Sequence, residues 1–290
     1  MNACTGIITY NPDINRLYKN FSIVKGRTDK IIIIDNGSEN ILDIKKIFTK
    51  EENIEIICFE KNMGIAYALM KLIEIADMYE YHWCLTLDQD TICDPEIVNI
   101  YTNFIKKLSA EEINEIGMLA PKIIDRNVTP YNEISKYLKE ENLNIQKAIT
   151  SGSFQNVQNI RKVGNYKSDL FIDYVDNDIS AKLILNGYKI ISMNNTFIYH
   201  EVGNIKVRKF FYRKINILNH SSFRKYYQVR NKIYFIKSYR KTKISITYVY
   251  KSLCAELFKV VFFEDEKSEK LKAMARGFLD GVKYKNKFKT

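Results

Sequence analysis

Residues 83–94, Trp-Cys-Leu-Thr-Leu-Asp-Gln-Asp-Thr-Ile-Cys-Asp, run an apolar strand-like segment into two carboxylates, Asp88 and Asp90. A buried strand that ends this way places acidic groups at the carboxyl edge of a parallel sheet, where open α/β folds keep their ligands. Two hard oxygen donors two residues apart suit Mg²⁺ or Mn²⁺, ions that hold substrate phosphates through only one or two protein carboxylates. The same Asp-x-Asp is also ordinary turn chemistry, so the rest of the chain has to decide between the readings.

Working outward, the first 125 residues alternate strand-like and helix-like segments. Ala3–Thr9 is an apolar run, and Lys30–Ile34 contains four consecutive isoleucines before Asp35-Asn36-Gly37-Ser38. Further strands are expected at Ile54–Phe59, Trp83–Leu87 and Gly117–Ala120. Between them, Gly64–Met78 repeats Ile65, Leu69, Leu72, Ile73 and Ala76 at helical spacing. β-branched runs without alternation are expected to be covered on both faces, which gives an α/β Rossmann-like sheet with helices on either side. Residues 126–150 are polar and weakly patterned and read as an excursion over the sheet. Helices are expected at Val157–Val163 and at Val175–Leu185, the latter stopped by Asn186-Gly187, with strands at Lys189–Ser192 and Phe197–His200. Beyond residue 205 the pattern reads as helical, aromatic and basic, so 1–205 is expected to form the core domain and 206–290 a helical extension. Within the core domain a first half runs to about 125 and a second covers 126–205.

The net charge of +11 is unevenly placed: residues 201–290 hold 23 Lys and Arg against 7 Asp and Glu, whereas residues 1–200 hold 22 against 27. Such a basic tail is expected to meet a polyanion, either a nucleic acid or the anionic inner leaflet of a membrane; a solvated face is the plain alternative. From Ile205 to Phe263 the only acid is Glu256, and aromatic residues are interleaved with the cations, a composition that lies well on an anionic bilayer. Helices packed on the core with basic outer faces would share that composition. Five cysteines, three of them inside strand-like runs, point to a reducing compartment. The first residues do not read as a signal peptide, and no run reaches the roughly 18 apolar residues of a membrane span. The expectation is a cytoplasmic protein associated peripherally with the inner face of the cell membrane.

Four further segments accompany the Asp-x-Asp. Thr9-Tyr10-Asn11-Pro12 follows the first strand, Asp35-Asn36-Gly37-Ser38 the second and Glu60-Lys61-Asn62-Met63-Gly64 the third, while Phe171-Ile172-Asp173-Tyr174-Val175-Asp176 lies later. In this order they resemble the family 2 glycosyltransferases of the GT-A fold, and within them the bacterial rhamnosyltransferases. The resemblance covers about residues 4 to 235. It is most specific at Leu-Thr-Leu-Asp-Gln-Asp, at Phe-Ile-Asp-Tyr-Val-Asp and at the stretch from His220 to Asn231; Gln89 in particular points to the rhamnosyltransferase-like group.

The resemblance implies roles for these residues. Thr9, Tyr10, Asn11, Asp35, Asn36, Gly37, Asn62, Gly64, Asp88 and Gln89 would line the nucleotide-sugar site. Asp88 and Asp90 would hold a Mg²⁺ or Mn²⁺ on the diphosphate, with His200 as a third ligand. Asp176 would be the general base, with Asp173 and Asp178 as rivals. Ser151-Gly152-Ser153 would form the acceptor-side loop, and Asp173, Arg224 and Arg230 would serve the acceptor or a diphosphate. Plain alternatives stand beside them: Asp35-Asn36-Gly37-Ser38 is also a good turn and helix start, Asn62 an N-cap, and Ser151-Gly152-Ser153 a turn. Thr91 stands where the group usually has Ser, and Lys182 where it usually has Arg, which removes a bidentate contact at that site.

The activity this implies is inverting, metal-dependent transfer of L-rhamnose from dTDP-β-L-rhamnose to a lipid-linked glycan in O-antigen, capsule or similar surface polysaccharide assembly. A UDP-hexose donor carrying galactose, glucose or galactofuranose is the nearest alternative. A nucleotidyltransferase would carry a glycine-rich basic phosphate loop, and Thr9-Tyr10-Asn11-Pro12 is not one. A nucleic-acid-binding protein using the basic tail is the rival from another class, although no zinc-finger or RNA-recognition motif accompanies the tail. A catalytically dead scaffold would have no use for the retained carboxylates.

Overall fold

The computed structural model describes residues 2–49, 51–200, 206–210 and 213–284. It divides into two compact units, one of Met1–Phe171 and Val175–Glu201, the other of Ile172–Tyr174 and Val202–Thr290.

The first unit is built on a nine-stranded mixed sheet. Strands β1 (Ala3–Thr9), β2 (Lys30–Asp35), β3 (Ile54–Cys58) and β4 (Trp83–Asp88) form a parallel half in the order β3-β2-β1-β4. Their connections are the helices α1 (Ile14–Val24), α2 (Ile41–Phe48) and α3 (Ile65–Met78). Every residue of β1 is buried, as are the four isoleucines of β2, which is why these strands read as unbroken apolar runs. The parallel register pairs Thr9 with Asp35 and Ile8 with Asp88, so the carboxyl ends of β1, β2 and β4 finish side by side.

The other half continues through β5 (Ile92–Cys93), α4 (Ile97–Ile105), α5 (Ala110–Asn114), β6 (Ile116–Asp125), β7 (Asn142–Asn144), β8 (Phe154–Asn156), α6 (Val157–Lys162), α7 (Val175–Leu185) and β9 (Lys189–His200). The short β8 reverses the sheet, pairing antiparallel with both β4 and β6. At this junction Phe154 is fully buried, with its ring stacked between Trp83 and Tyr101 at centroid distances of 5.2 and 5.5 Å. The two strands expected at the end of this unit are one, β9, whose register against β6 shifts at Pro121/Lys122. The polar stretch 126–150 holds a 3-10 turn at Tyr131–Tyr137 and the edge strand β7. Helix α7 begins and ends where expected, and Gly187 at φ 84° carries its stop.

The second unit corrects one expectation. Residues 206–210 and 213–217 form two antiparallel strands, β10 (Lys206–Phe210) and β11 (Arg213–Ile217), in place of a helix. Lys214-Ile-Asn-Ile alternates polar and apolar residues with a period of two, which suits a strand. Helices α8 (Ser222–Tyr239), α9 (Thr247–Phe263) and α10 (Lys267–Lys283) follow. Helix α10 approaches α8 closely because Gly277 and Gly281 lack side chains: a Cβ there would lie 2.4 Å from the Tyr226 carbonyl oxygen and 2.8 Å from that of Arg230. The three helices are cross-linked by buried charges. Glu264 receives Lys225 at 2.8 Å and Lys270 at 3.2 Å, while Glu256 receives Lys225 and Lys232.

Removing one side of such a buried network leaves uncompensated charge, which costs far more than the network contributes relative to apolar packing. Glu264→Gln, which keeps the side-chain shape, is expected to destabilise the protein by about 3–5 kcal/mol, measured as a lower urea midpoint. A shift within error of wild type would show that the lysines find other partners.

Candidate active site

The candidate site of the first unit lies at the carboxyl edge of β1, β2 and β4. Asp35 ends β2 and is 1% exposed. Its carboxylate accepts the Thr9 hydroxyl at 3.0 Å, the Ser38 hydroxyl at 2.5 Å and the Ser38 amide at 2.9 Å. Ser38 Oγ in turn accepts the Asn11 amide at 2.8 Å, and Asn11 Oδ1 accepts the Glu39 amide at 2.8 Å. The loops after β1 and β2 are therefore one hydrogen-bonded body with Asp35 at its centre. Asn11 sits at φ 46°, a conformation that asparagine tolerates better than most residues.

A second polar chain joins the loop after β3. Asn36 Nδ2 donates to Asn62 Oδ1 at 3.1 Å, Asn36 Oδ1 accepts the Met63 amide at 2.8 Å, and Asn62 Oδ1 accepts the Gly64 amide at 2.9 Å. Gly37 and Gly64 are required by both dihedral and space. At φ 80° a Gly37 Cβ would lie 2.5 Å from the Lys61 carbonyl carbon, and at φ 86° a Gly64 Cβ would lie 2.6 Å from the Phe171 carbonyl oxygen.

The Asp88-Gln89-Asp90 turn is tied to both of its neighbours. Gln89 Oε1 accepts the amide of Tyr10 at 2.7 Å, joining this turn to the one after β1. Asn20 on α1 donates to the Asp88 carbonyl at 2.7 Å, and the Asp88 amide donates to Ser151 Oγ at 3.0 Å. Ser151 Oγ donates onward to Thr91 Oγ1 at 2.9 Å, so Thr91 supplies the hydroxyl that a serine would at this position. The adjacent residue, Thr150, donates its amide to Asp176 Oδ1 at 3.2 Å. Thus residues 150 and 151 hold Asp176 and the backbone of Asp88 from one loop. Gly152 lies in this loop at φ 76°, with its carbonyl receiving the Tyr101 hydroxyl at 2.8 Å.

A buried network under that loop is not evident in the sequence motifs. Tyr166 donates to Gln155 Oε1 at 2.7 Å, and Gln155 Nε2 donates to Thr86 Oγ1 at 2.8 Å. Burial, and after it the nearby Asp176 carboxylate, push the Tyr166 phenol well above its ordinary range, so it remains a neutral donor. The signal for Thr86 was a hydroxyl inside the apolar run Leu85-Thr86-Leu87; Gln155 and Tyr166 have no local signal.

The other sequence-derived candidates divide by unit. Asp178 is 1% exposed and forms an ion pair with Lys182 at 3.0 Å, and Lys182 also donates to the Asn165 carbonyl at 2.9 Å. In the second unit, Arg224 grips Asp173 with two hydrogen bonds of 3.1 Å, and Asn231 Nδ2 donates to the carbonyls of Ile172 and Asp173. These contacts hold Asp173 and Tyr174 at φ 61° and 64°, a region costly for residues with side chains. Arg230 lies over the Tyr227 ring at 4.6 Å and donates to Asn231 at 2.9 Å.

Asp88 and Asp90 are half-buried at the strand edge and offer hard oxygen ligands that fit Mg²⁺ or Mn²⁺. Among the described residues no group of three His, Cys, Asp or Glu side chains gathers for a metal. The side chain of His200 lies outside the described residues. Its backbone ends β9, where it pairs with Asp125 at the end of β6.

The family model described as Glycosyl transferase family 2 matches residues 4–114, the segment that carries β1 to β4 and their loops. The protein is a glycosyltransferase, and residues 4–114 are its family 2 domain. Across almost its whole length it is similar to the dTDP-rhamnosyl transferase RfbF of Shigella flexneri, with 27% identity over 96% of this chain and 94% of that protein. The glycosyltransferase has the GT-A fold. Its fold matches S. aureus TarS 1-349 with a TM-score of 0.61 at 12% identity, covering 97% of this chain and 81% of that one. It also matches GalNAc-T7, solved with UDP, GalNAc and Mn²⁺, with a TM-score of 0.59 at 15% identity, covering 98% and 56% of the two chains.

Ser151→Ala is expected to destabilise the enzyme by about 1–3 kcal/mol, because the buried Thr91 hydroxyl and the Asp88 amide both lose a partner. Chemical denaturation measures this, and Ser151→Thr, which keeps the hydroxyl, should recover part of the loss.

Proposed function

We propose that this enzyme transfers L-rhamnose from dTDP-β-L-rhamnose to a hydroxyl of a lipid-linked glycan, with inversion, during assembly of a surface polysaccharide such as O-antigen or capsule. The observation that carries the reading is the loop at residues 150–151. It holds Asp176 through the Thr150 amide and Asp88 through Ser151, so an acid–base carboxylate and the diphosphate-side turn share one support. Similarity over the full length to a dTDP-rhamnosyl transferase supports the donor.

Each residue then has a task. The body formed by Thr9, Asn11, Asp35 and Ser38 shapes the nucleoside edge, with Tyr10 exposed beside it. Asn36, Asn62, Gly37 and Gly64 hold the loop after β3 close enough for backbone contact with the donor. Gln89 fixes the turn after β4 relative to the one after β1. Asp88, Asp90 and His200 would hold a Mg²⁺ or Mn²⁺, which when bound stabilises the negative charge that builds on the departing diphosphate. Asp176 takes the proton from the acceptor hydroxyl as its oxygen attacks the anomeric carbon on the face opposite the diphosphate. Ser151 and Gly152 form the acceptor-side floor. For Arg224 to meet a diphosphate it would exchange the Asp173 carboxylate for phosphate oxygens, the same bidentate geometry. The basic second unit supports a workplace at the anionic inner face of the cell membrane, where the lipid-linked acceptor resides.

Asp176→Asn keeps an oxygen that can accept the Thr150 amide but removes the base. Donor binding by calorimetry should therefore stay within about threefold of wild type, while transfer falls by roughly 10²–10⁴-fold. Unchanged turnover would remove Asp176 from the chemistry. Chelation with EDTA is expected to abolish transfer and added Mg²⁺ or Mn²⁺ to restore it. Transfer from UDP-galactose or UDP-glucose in place of dTDP-rhamnose would overturn the donor assignment and keep the rest.

A further inference from the structure

The second unit carries an apolar groove of about 450 Å³ between α9 and α10, walled by Leu253, Cys254 and Leu257 on one side and by Met274, Ala275 and Phe278 on the other. The groove exists because the three helices pack unequally. Gly277 and Gly281 let α10 sit directly against α8, whereas α9 buries only Val249 and Val260 among its 17 residues. Along α9, Tyr250, Cys254, Leu257 and Val261 follow i, i+4, i+7 and i+11 and form one exposed stripe that leads into the groove. Leu257 is 47% exposed and Phe262 56%, and on α10 Phe278 is 46% exposed and Leu279 56%. Exposed apolar side chains on both walls of one groove suit a binding surface.

The charges at the amino-terminal end of α9 select the occupant. Lys237, Arg240, Lys241, Lys243 and Lys251 are the only charged residues from position 237 to position 255, and all are exposed. Among the described residues, Arg240, Lys241, Lys243 and Lys251 enter no ion pair. A second copy of this chain meeting the surface face to face would bring the same cations into opposition, whereas an anionic lipid headgroup neutralises them. No helix among the described residues is long and apolar enough to cross a membrane, so the arrangement suits lying in the interface rather than spanning it.

We propose that the α9–α10 groove and the α9 stripe take fatty-acyl chains of an anionic phospholipid bilayer, with Arg240, Lys241, Lys243 and Lys251 at headgroup level and Tyr248 and Tyr250 at the boundary. This deepens the proposed membrane setting and rests on it for its biological use. The binding itself depends only on the second unit.

The protein carries its own probe and control. Cys254 lines the groove and is exposed, Cys58 is exposed in the first unit, and Cys4, Cys84 and Cys93 are buried. Maleimide labelling of the full chain, read by peptide mass spectrometry, compares each thiol with and without vesicles. Phosphatidylglycerol vesicles are expected to slow labelling of Cys254 at least tenfold and to leave Cys58 unchanged, and the triple variant Arg240→Gln, Lys241→Gln, Lys243→Gln should lose most of that protection. Equal labelling of Cys254 with and without vesicles overturns the proposal. So does protection that grows with protein concentration in the absence of lipid, which would identify a second copy as the occupant, and equal protection by phosphatidylcholine would overturn the headgroup assignment. Labelling needs no nucleotide sugar, so its failure is distinct from failure of the rhamnosyl-transfer reading, which donor turnover tests separately.

Discussion

The constraint on which the geometry of the first unit's candidate site depends is a pair of hydrogen bonds from neighbouring residues of one loop. Ser151 receives the amide of Asp88, and Thr150 gives its own amide to Asp176. Asp88 ends a strand and Asp176 lies in the first turn of a helix almost 90 residues later. Without the loop these two residues would belong to separate elements; with it, the Asp88 backbone and the Asp176 carboxylate are held by neighbouring residues. The buried Thr86–Gln155–Tyr166 chain lies beneath the loop, and the Tyr101 hydroxyl secures Gly152 within it. A group whose position matters to a fraction of an ångström is better held from a packed sheet than from a solvated turn.

Much of this could be read in the chain because it rests on local chemistry. Four isoleucines in sequence demand a strand covered on both faces, and the parallel register then sets Thr9, Asp35 and Asp88 at one edge. Asp35 illustrates how two readings merge: the turn chemistry of Asp-Asn-Gly-Ser is real, since Ser38 caps the carboxylate, and the same turn shapes the candidate nucleoside edge. What could not be read was long-range. Gln155 meets Thr86 across 69 positions, and nothing near either residue announces the contact. The Arg224–Asp173 pair likewise joins residues 51 apart, giving Arg224 a partner within the protein where sequence suggested only a ligand. The strand pair at 206–210 and 213–217 was hidden because lysine, arginine and aromatic residues suit a basic helix and a strand equally well, and only the period separates them.

Charge in the second unit is sorted by burial. Lys225, Lys232 and Lys270 turn inward onto Glu256 and Glu264 and hold three helices together, whereas Arg240, Lys241, Lys243 and Lys251 remain outward. The excess of positive charge seen in the composition is therefore not one property. Part of it is structural and internally neutralised, and part is an exposed cluster at the amino-terminal end of α9. The distinction matters because only exposed, uncompensated cations attract a polyanion.

The central claim is that the edge held by the 150–151 loop is where a sugar diphosphate is bound and cleaved. The most direct measurement is a crystal structure with dTDP-rhamnose and Mn²⁺, with the ion located by its anomalous scattering. The account predicts one manganese peak at a coordination distance of about 2.0–2.3 Å from an Asp88 or Asp90 oxygen, with the anomeric carbon on the side of Asp176. A nucleotide bound elsewhere, or a manganese peak remote from both aspartates, would contradict it.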